Sequence, residues 1–216
     1  MNGITVPMAL VDFIPVLLFF AAAVLLQRDL YRQMVKGAYA LLATGSIMVL
    51  IGGLFKATWK ILYALRICDY PLLSDSFFPM QGPGFLLVFL ALVGMFTPWN
   101  RKGTTTLLGV GAVPVYASTI PFVILQTVGC AGSQWTLFAI SLKMKQRLAA
   151  ALYVVAFVFM LGMGYLSATF DDTSGMHWLA QCVNIVSQGA FLWATLRLHK
   201  AGLARWQPHP AKTSAR

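Results

Sequence analysis

The sequence predicts an all-α, polytopic integral membrane protein of seven transmembrane helices, and three observations predict it. Of its 216 residues, 59% are hydrophobic and 10% charged, with a mean hydropathy of +0.75, far from soluble averages of about 45–50% and about 25%. Thirteen of the sixteen Lys and Arg residues fall into four clusters: Arg28, Arg32 and Lys36; Arg101 and Lys102; Lys143, Lys145 and Arg147; and Arg197, Lys200, Arg205, Lys212 and Arg216. The apolar stretches between clusters are long enough to cross a bilayer out and back, at roughly 20 residues per crossing. Cytoplasmic loops collect Lys and Arg, so all four clusters share one side when an even number of spans separates each pair. The N-terminus is then outside and the C-terminus cytoplasmic.

Span one, about 7 to 27, contains Asp12 and has no basic residue ahead of it. It is longer than a signal-peptide core and is expected to stay as an anchor. Span two covers about 37 to 60. A polar outer loop, about 67 to 81, holds Asp69 and Asp75, with Pro71, Pro79 and the following Pro83 as breakers. Span three is about 84 to 99. The stretch from 104 to 142 contains Pro114, Pro121, Gly129 and Gly132. A single crossing there would place Lys143, Lys145 and Arg147 outside, so two are expected, about 104 to 118 and about 120 to 142. Thr119 and Pro121 resemble a helix start, a hydroxyl cap with Pro in the first turn. Span six is about 148 to 168, Asp171 and Asp172 lie in an outer turn, and span seven is about 175 to 197. Residues 1–200 form one domain, and the basic tail 201–216 is expected to be disordered.

A displacement of 111 residues places Arg32 to Leu42 on Lys143 to Tyr153, and Gly53, Ala57, Thr58 and Trp59 on Gly164, Ala168, Thr169 and Phe170. Span one then falls on 118 to 138, so the chain reads as three spans, a linker span and three more in parallel. Parallel repeats occur in secondary transporters with the substrate near the midplane. In topology alone this layout resembles the three-one-three sugar and amino-acid carriers of the PQ-loop class. Their Pro-Gln dipeptide is missing from every span here.

Ionisable groups inside hydrocarbon are costly and normally face a partner or a cavity. Asp12 in span one shares a depth with Lys56 and Lys60, one turn apart on one face of span two. They read either as a gate or ligand pocket, or as an Asp12 to Lys56 bridge with Lys60 snorkelling to the headgroups. On span seven His177, Gln181, Asn184 and Gln188 recur at intervals of four, three and four, a stripe about 60° wide at 100° per residue. Such residues either line a cavity or bond neighbouring helices together. Cys68 and Cys130 could pair only if a turn fell at Gly129 to Gly132, and Cys182 reads as a packing residue.

No metal or cofactor is expected, because the membrane region offers one His, no Glu and one deep Asp, short of the roughly three ligands of a catalytic metal. Asp12 has no second carboxylate at its depth for an aspartyl protease. Neither a nucleophile elbow nor a phosphate loop is present, and the balance leans away from an enzyme. Basic residues flank apolar runs and do not form a stripe interleaved with aromatics, so no nucleic-acid partner is expected. The expected partners are the bilayer, anionic lipids at the cytoplasmic face and a small solute or ligand. A homo-oligomer or a signalling partner is left open. The expected function is a small-solute transporter or facilitator in the plasma (inner) membrane, its site formed by Asp12, Lys56, Lys60, His177, Gln181, Asn184 and Gln188. The alternative is a seven-helix sensor or receptor that binds a ligand from outside and signals through a partner.

Overall fold

Pro15 shapes the first helix. It has no N–H to give the Val11 carbonyl, and the chain divides there into α1 (Val6–Val11) and α2 (Phe13–Leu30), with Asp12 at the junction. A computed structural model of the protein describes residues 5–96, 120–168 and 174–206, and its regular structure is helical. The remaining helices are α3 (Lys36–Ala64), α4 (Pro71–Asp75), α5 (Phe77–Val93), α6 (Ile120–Lys143), α7 (Arg147–Ala168) and α8 (Ser174–Lys200), followed by a 3-10 turn at Leu203–Arg205. Five helical stretches are long and apolar enough to cross a membrane: Val6–Leu30, Lys36–Ala64, Pro71–Val93, Ile120–Lys143 and Gly175–Lys200. Helix α7 is 22 residues long and carries the shorter apolar stretch Arg147–Met163. The expected fourth span, about 104 to 118, lies outside the described residues.

Two sequence expectations need correction. The outer loop expected at about 67 to 81 is largely helical, being occupied by α4 and the start of α5. Pro71 and Pro79 fall in first turns, where no intrahelical N–H bond is lost. Pro83 alone removes an interior bond. Span three, expected to start near 84, therefore starts at Phe77. In addition, Ala201–Trp206, expected to belong to a disordered tail, is packed. Leu203 is fully buried and Trp206 meets the Phe96 ring edge-on at 6.1 Å.

The helices close into a ring in the order α2, α3, α5, α6, α7, α8 and back to α2. Contacts along each interface fix the directions. Asp12 meets Lys60 and Gly53 faces Val16, so α2 and α3 are antiparallel. Gly45 faces Gly84, and Gly52 faces Gln81 and Phe77, so α3 and α5 are antiparallel too. Gln134 reaches Met160 between α6 and α7. Tyr153 pairs with Thr195, and Ser187 with the Ala156 carbonyl, between α7 and α8. The other two interfaces are parallel. Gly82 lies against Phe122, Gly129 against Leu86 and Gly132 against Phe89 along α5 and α6. Gln181 meets Met8, Phe191 meets Phe19, and His199 meets Asp29 between α8 and the first two helices. Two parallel seams thus divide the ring into antiparallel triplets, α2–α3–α5 and α6–α7–α8.

The ends of the ring differ. Arg28, Arg32 and Lys36, then Lys143, Lys145 and Arg147, then Arg197, Lys200 and Arg205 flank the same end, where Lys143 Nζ lies 4.6 Å from the Phe96 ring centre. Asp12, Asp69 and Asp75 mark the opposite end, and there Trp59 Nε1 donates to Asp69 Oδ1 at 3.1 Å. The basic half of the ring is filled by one apolar cluster drawn from all six long helices, including Leu30, Leu42, Leu92, Ile140, Tyr153 and Leu198. Helix α6 stops at this end through a left-handed Lys145 (φ 58°), which lets Gln146 N–H bond the Ser141 carbonyl at 2.8 Å.

Candidate functional site

At the acidic end Asp12 pairs with one of the two lysines expected to share its depth. The Asp12 carboxylate is bridged by Lys60, each side chain about one-seventh exposed at 14% and 15%. Lys56 instead places its ammonium 4.3 Å from the centre of the Phe77 ring and 5.9 Å from that of Phe78. Of the two lysines that could pair with Asp12, Lys60 makes the bridge and does not snorkel away, while Lys56 makes a cation–π contact. The aromatic faces exist at this height because α5 begins at Phe77, inside the segment the sequence was expected to leave as a loop. A partly desolvated ammonium over such a ring is stabilised by roughly 0.5–2 kcal/mol.

Helix α8 brings its polar stripe against the helices that carry Asp12. Gln181 is 4% exposed, and its Nε2 donates to the Met8 carbonyl at 2.8 Å, one turn before Asp12. Its Oε1 accepts no hydrogen bond within the described residues. His177 is buried one turn nearer the acidic end. Asn184 and Gln188 are half-buried deeper along the helix, on the face that ends in the Phe191 to Phe19 stack, 6.3 Å between ring centres. All four stripe residues thus lie on the face of α8 that meets α1 and α2.

A second polar line runs from α3 and α5 across the α5–α6 seam to α6 and α7, and is absent from the sequence expectations. Gln81 Nε2 donates to the Val49 carbonyl at 3.3 Å, and Gln126 Nε2 donates to Gln81 Oε1 at 3.3 Å. Gln134 Nε2 approaches the Cys130 and Met160 sulfurs at 3.6 and 3.9 Å. The carbonyl oxygens of Gln126 and Gln134, like that of Gln181, are buried without a donor from the described residues. An amide carbonyl left bare in an apolar interior costs about 1–3 kcal/mol. Gln126 and Gln134 lie eight residues apart on α6 with Cys130 midway, a helical spacing, whereas the alignment of Gln81 on α5 with them appears only in the folded chain.

The basic end holds the remaining polar group. Asp29 is 2% exposed, and both its oxygens lie 2.9 Å from His199 Nδ1. His199 is eighteen residues beyond Gln181, five full turns, so it continues the α8 stripe on the same face. Extending the stripe beyond Gln188 would have found it. Cys68, Cys130 and Cys182 are free thiols, with Cys130 buried beside Gln134. No cluster of three or more His, Cys or Asp forms among the described residues.

The glycines separate the two parallel seams by stiffness. A Cβ at Gly129 would fall 2.4 Å from Leu86 N, and one at Gly82 2.5 Å from the Phe122 carbonyl oxygen, so the backbones of α5 and α6 are in direct contact. The α2–α8 seam has side chains between its backbones and is tied by polar bonds at its two ends. Comparison of the chain with protein-family models, curated proteins and solved structures gives no match. The functional reading therefore rests on this geometry.

Proposed function

We propose that the protein is a seven-span small-solute carrier or facilitator whose site lies between its two helical triplets, with the N-terminus outside and the basic end cytoplasmic. One observation carries the reading. The amides of half-buried Gln81 and Gln126 and of buried Gln134 and Gln181, three of them with a buried acceptor unfilled among the described residues, lie within a ring whose two triplets meet at parallel seams. Polar groups at membrane depth are retained where they face a cavity or a partner.

Seven crossings fit the parallel course of α5 and α6, because the chain leaves the basic end at Phe96 and re-enters at the acidic end at Ile120. The 23 intervening residues suffice for that return, since a helix of that length spans about 34 Å. With α7 as a crossing, the layout is three spans, one linker and three spans. The 111-residue displacement supports the repeat in three dimensions. It maps the first residue of α3, Lys36, onto that of α7, Arg147, and buried Leu26, Ala38 and Leu42 onto buried Leu137, Ala149 and Tyr153. On this reading α5 and α6 form the fixed seam and α2 and α8 the seam that parts.

Vesicles reconstituted with the protein test this directly. They are loaded in turn with labelled neutral sugars, zwitterionic amino acids and small organic anions, and efflux is followed with and without the same solute outside. Trans-stimulated efflux of one class is the expected result. Binding without movement would replace the carrier by a sensor, the second reading, which the apolar filling of the basic half favours because it closes that side. A wholly passive result for every class would remove both.

A further inference from the structure

We infer that Asp29 and His199 form a proton-binding latch across the basic end of the α2–α8 seam. The carboxylate is buried at 2% exposure, and the imidazole that meets it is 34% exposed, so one partner is enclosed and the other is open to protons from the basic end. Among the described residues His199 is the ionic partner of Asp29, with no Lys or Arg nitrogen within 4.0 Å. Arg28 and Arg32 on and after α2, Lys36 at the start of α3, Arg197 and Lys200 on α8, Arg205 beyond it and Arg147 on α7 flank this end without pairing to the carboxylate. Tyr153 on α7 is engaged by Thr195, oxygen to oxygen at 3.1 Å.

Packing alone does not require the pair. The 111-residue displacement places Ile140 at the position of Asp29, and Ile140 is fully buried in the same core beside the other triplet. Replacing a buried ion pair with well-packed apolar groups commonly leaves stability unchanged or raised. A carboxylate at one equivalent place and isoleucine at the other therefore distinguishes a seam that responds to charge from one that does not.

With the proton on the imidazole, the latch is a closed ion pair. When the proton leaves through Nε2 or Nδ1, an anionic carboxylate faces a neutral ring in a poorly solvated site. The charge-assisted tie is then lost, and Gln33, whose Nε2 donates to the Leu203 carbonyl, together with the apolar packing of Leu30, Leu198 and Leu203, is left to hold this end. Proton loss loosens the basic end, and proton gain closes it. The latch is a property of the seam and does not depend on the carrier reading.

The test uses the full chain in lipid nanodiscs, with Cys68→Ser, Cys130→Ala and Cys182→Ser, and spin labels at the exposed positions Arg32→Cys and Ala201→Cys. Distances are compared at about pH 5 and about pH 9, an interval across which histidine ordinarily changes charge. The longer-distance population should gain at the higher pH by at least about tenfold relative to the shorter, equivalent to about 1.4 kcal/mol. Asp29→Asn and His199→Gln should each flatten the response. The pair Asp29→Ile with His199→Leu should hold the short distance at both pH values, which also verifies folding. Identical distributions at both pH values with the native pair, or a response that survives Asp29→Asn combined with His199→Gln, overturns the latch. Solute movement is not measured, so failure here leaves the carrier reading to its own experiment.

Discussion

Lys60, one helical turn beyond Lys56, is the lysine that closes on Asp12. The two lysines share a face of α3, and their different partners separate an ionic contact from an aromatic one. Removing either member of the ion pair strands the other in a poorly solvated site. Asp12→Asn and Lys60→Met should each lower stability in detergent by up to about 3 kcal/mol, and the double substitution should recover part of the loss. Lys56→Met should lose only the ring contact, roughly 0.5–2 kcal/mol, with no recovery when combined with Asp12→Asn. Chemical denaturation of the four variants checks this, and equal coupling of both lysines to Asp12 would contradict the geometry.

The α5–α6 seam makes the opposite demand on its glycines. Gly129→Ala forces a methyl into the backbone of Leu86, and overpacking of this kind costs about 1–3 kcal/mol or more. Gly189 on α8 has nothing within 4 Å of an added Cβ, so Gly189→Ala should be neutral or slightly stabilising. Thermal unfolding of the two variants should differ in sign.

The stripe on α8 can be separated into holding and lining residues. Gln181→Leu removes the bond to the Met8 carbonyl and should reduce both stability and solute handling. Asn184→Leu keeps the volume and removes only the polar amide. Transport or binding should fall at least about tenfold, or about 1.4 kcal/mol, while thermal stability changes little. Loss of stability with unchanged activity per folded molecule would make Asn184 a packing residue.

Sidedness is open to labelling with a membrane-impermeant thiol reagent in a background without native cysteines. Asp75→Cys should react from outside intact cells, and Lys145→Cys and Lys200→Cys only after the membrane is opened. Reaction of Lys145→Cys from outside would reverse the proposed orientation of the α6–α7 turn.

Much of the helix plan is legible from charge and proline. The helix expected at about 120 to 142 is Ile120–Lys143, and the helix expected at about 148 to 168 is Arg147–Ala168, because basic residues end one helix and start the next. The loop at 67 to 81 misleads for the same reason. Proline was read as a breaker, whereas at Pro71 and Pro79 it occupies the first turns of helices and costs no hydrogen bond. In the site, Asp12, Lys56 and Lys60 are visible as rare charges at one depth, yet the choice between two lysines on one face depends on how α1 and α3 are offset. The α8 stripe is visible through its period. The link from Gln81 to Gln126 is not, because the two lie on different helices and only tertiary packing brings the amides together.

The parallel course of α5 and α6 has a consequence for assembly. Neighbouring antiparallel helices can enter a bilayer together as hairpins, but these two cannot, since the chain must travel the length of the bundle between them. The close contacts at Gly82, Gly129 and Gly132 can form only after α6 has been synthesised, when α2, α3 and α5 already exist. Until then the face of α5 that carries Gly82, Leu86 and Phe89 has no partner on α6. A nascent chain halted shortly before Ile120 would be the form most open to non-native helix pairing and to quality-control proteolysis.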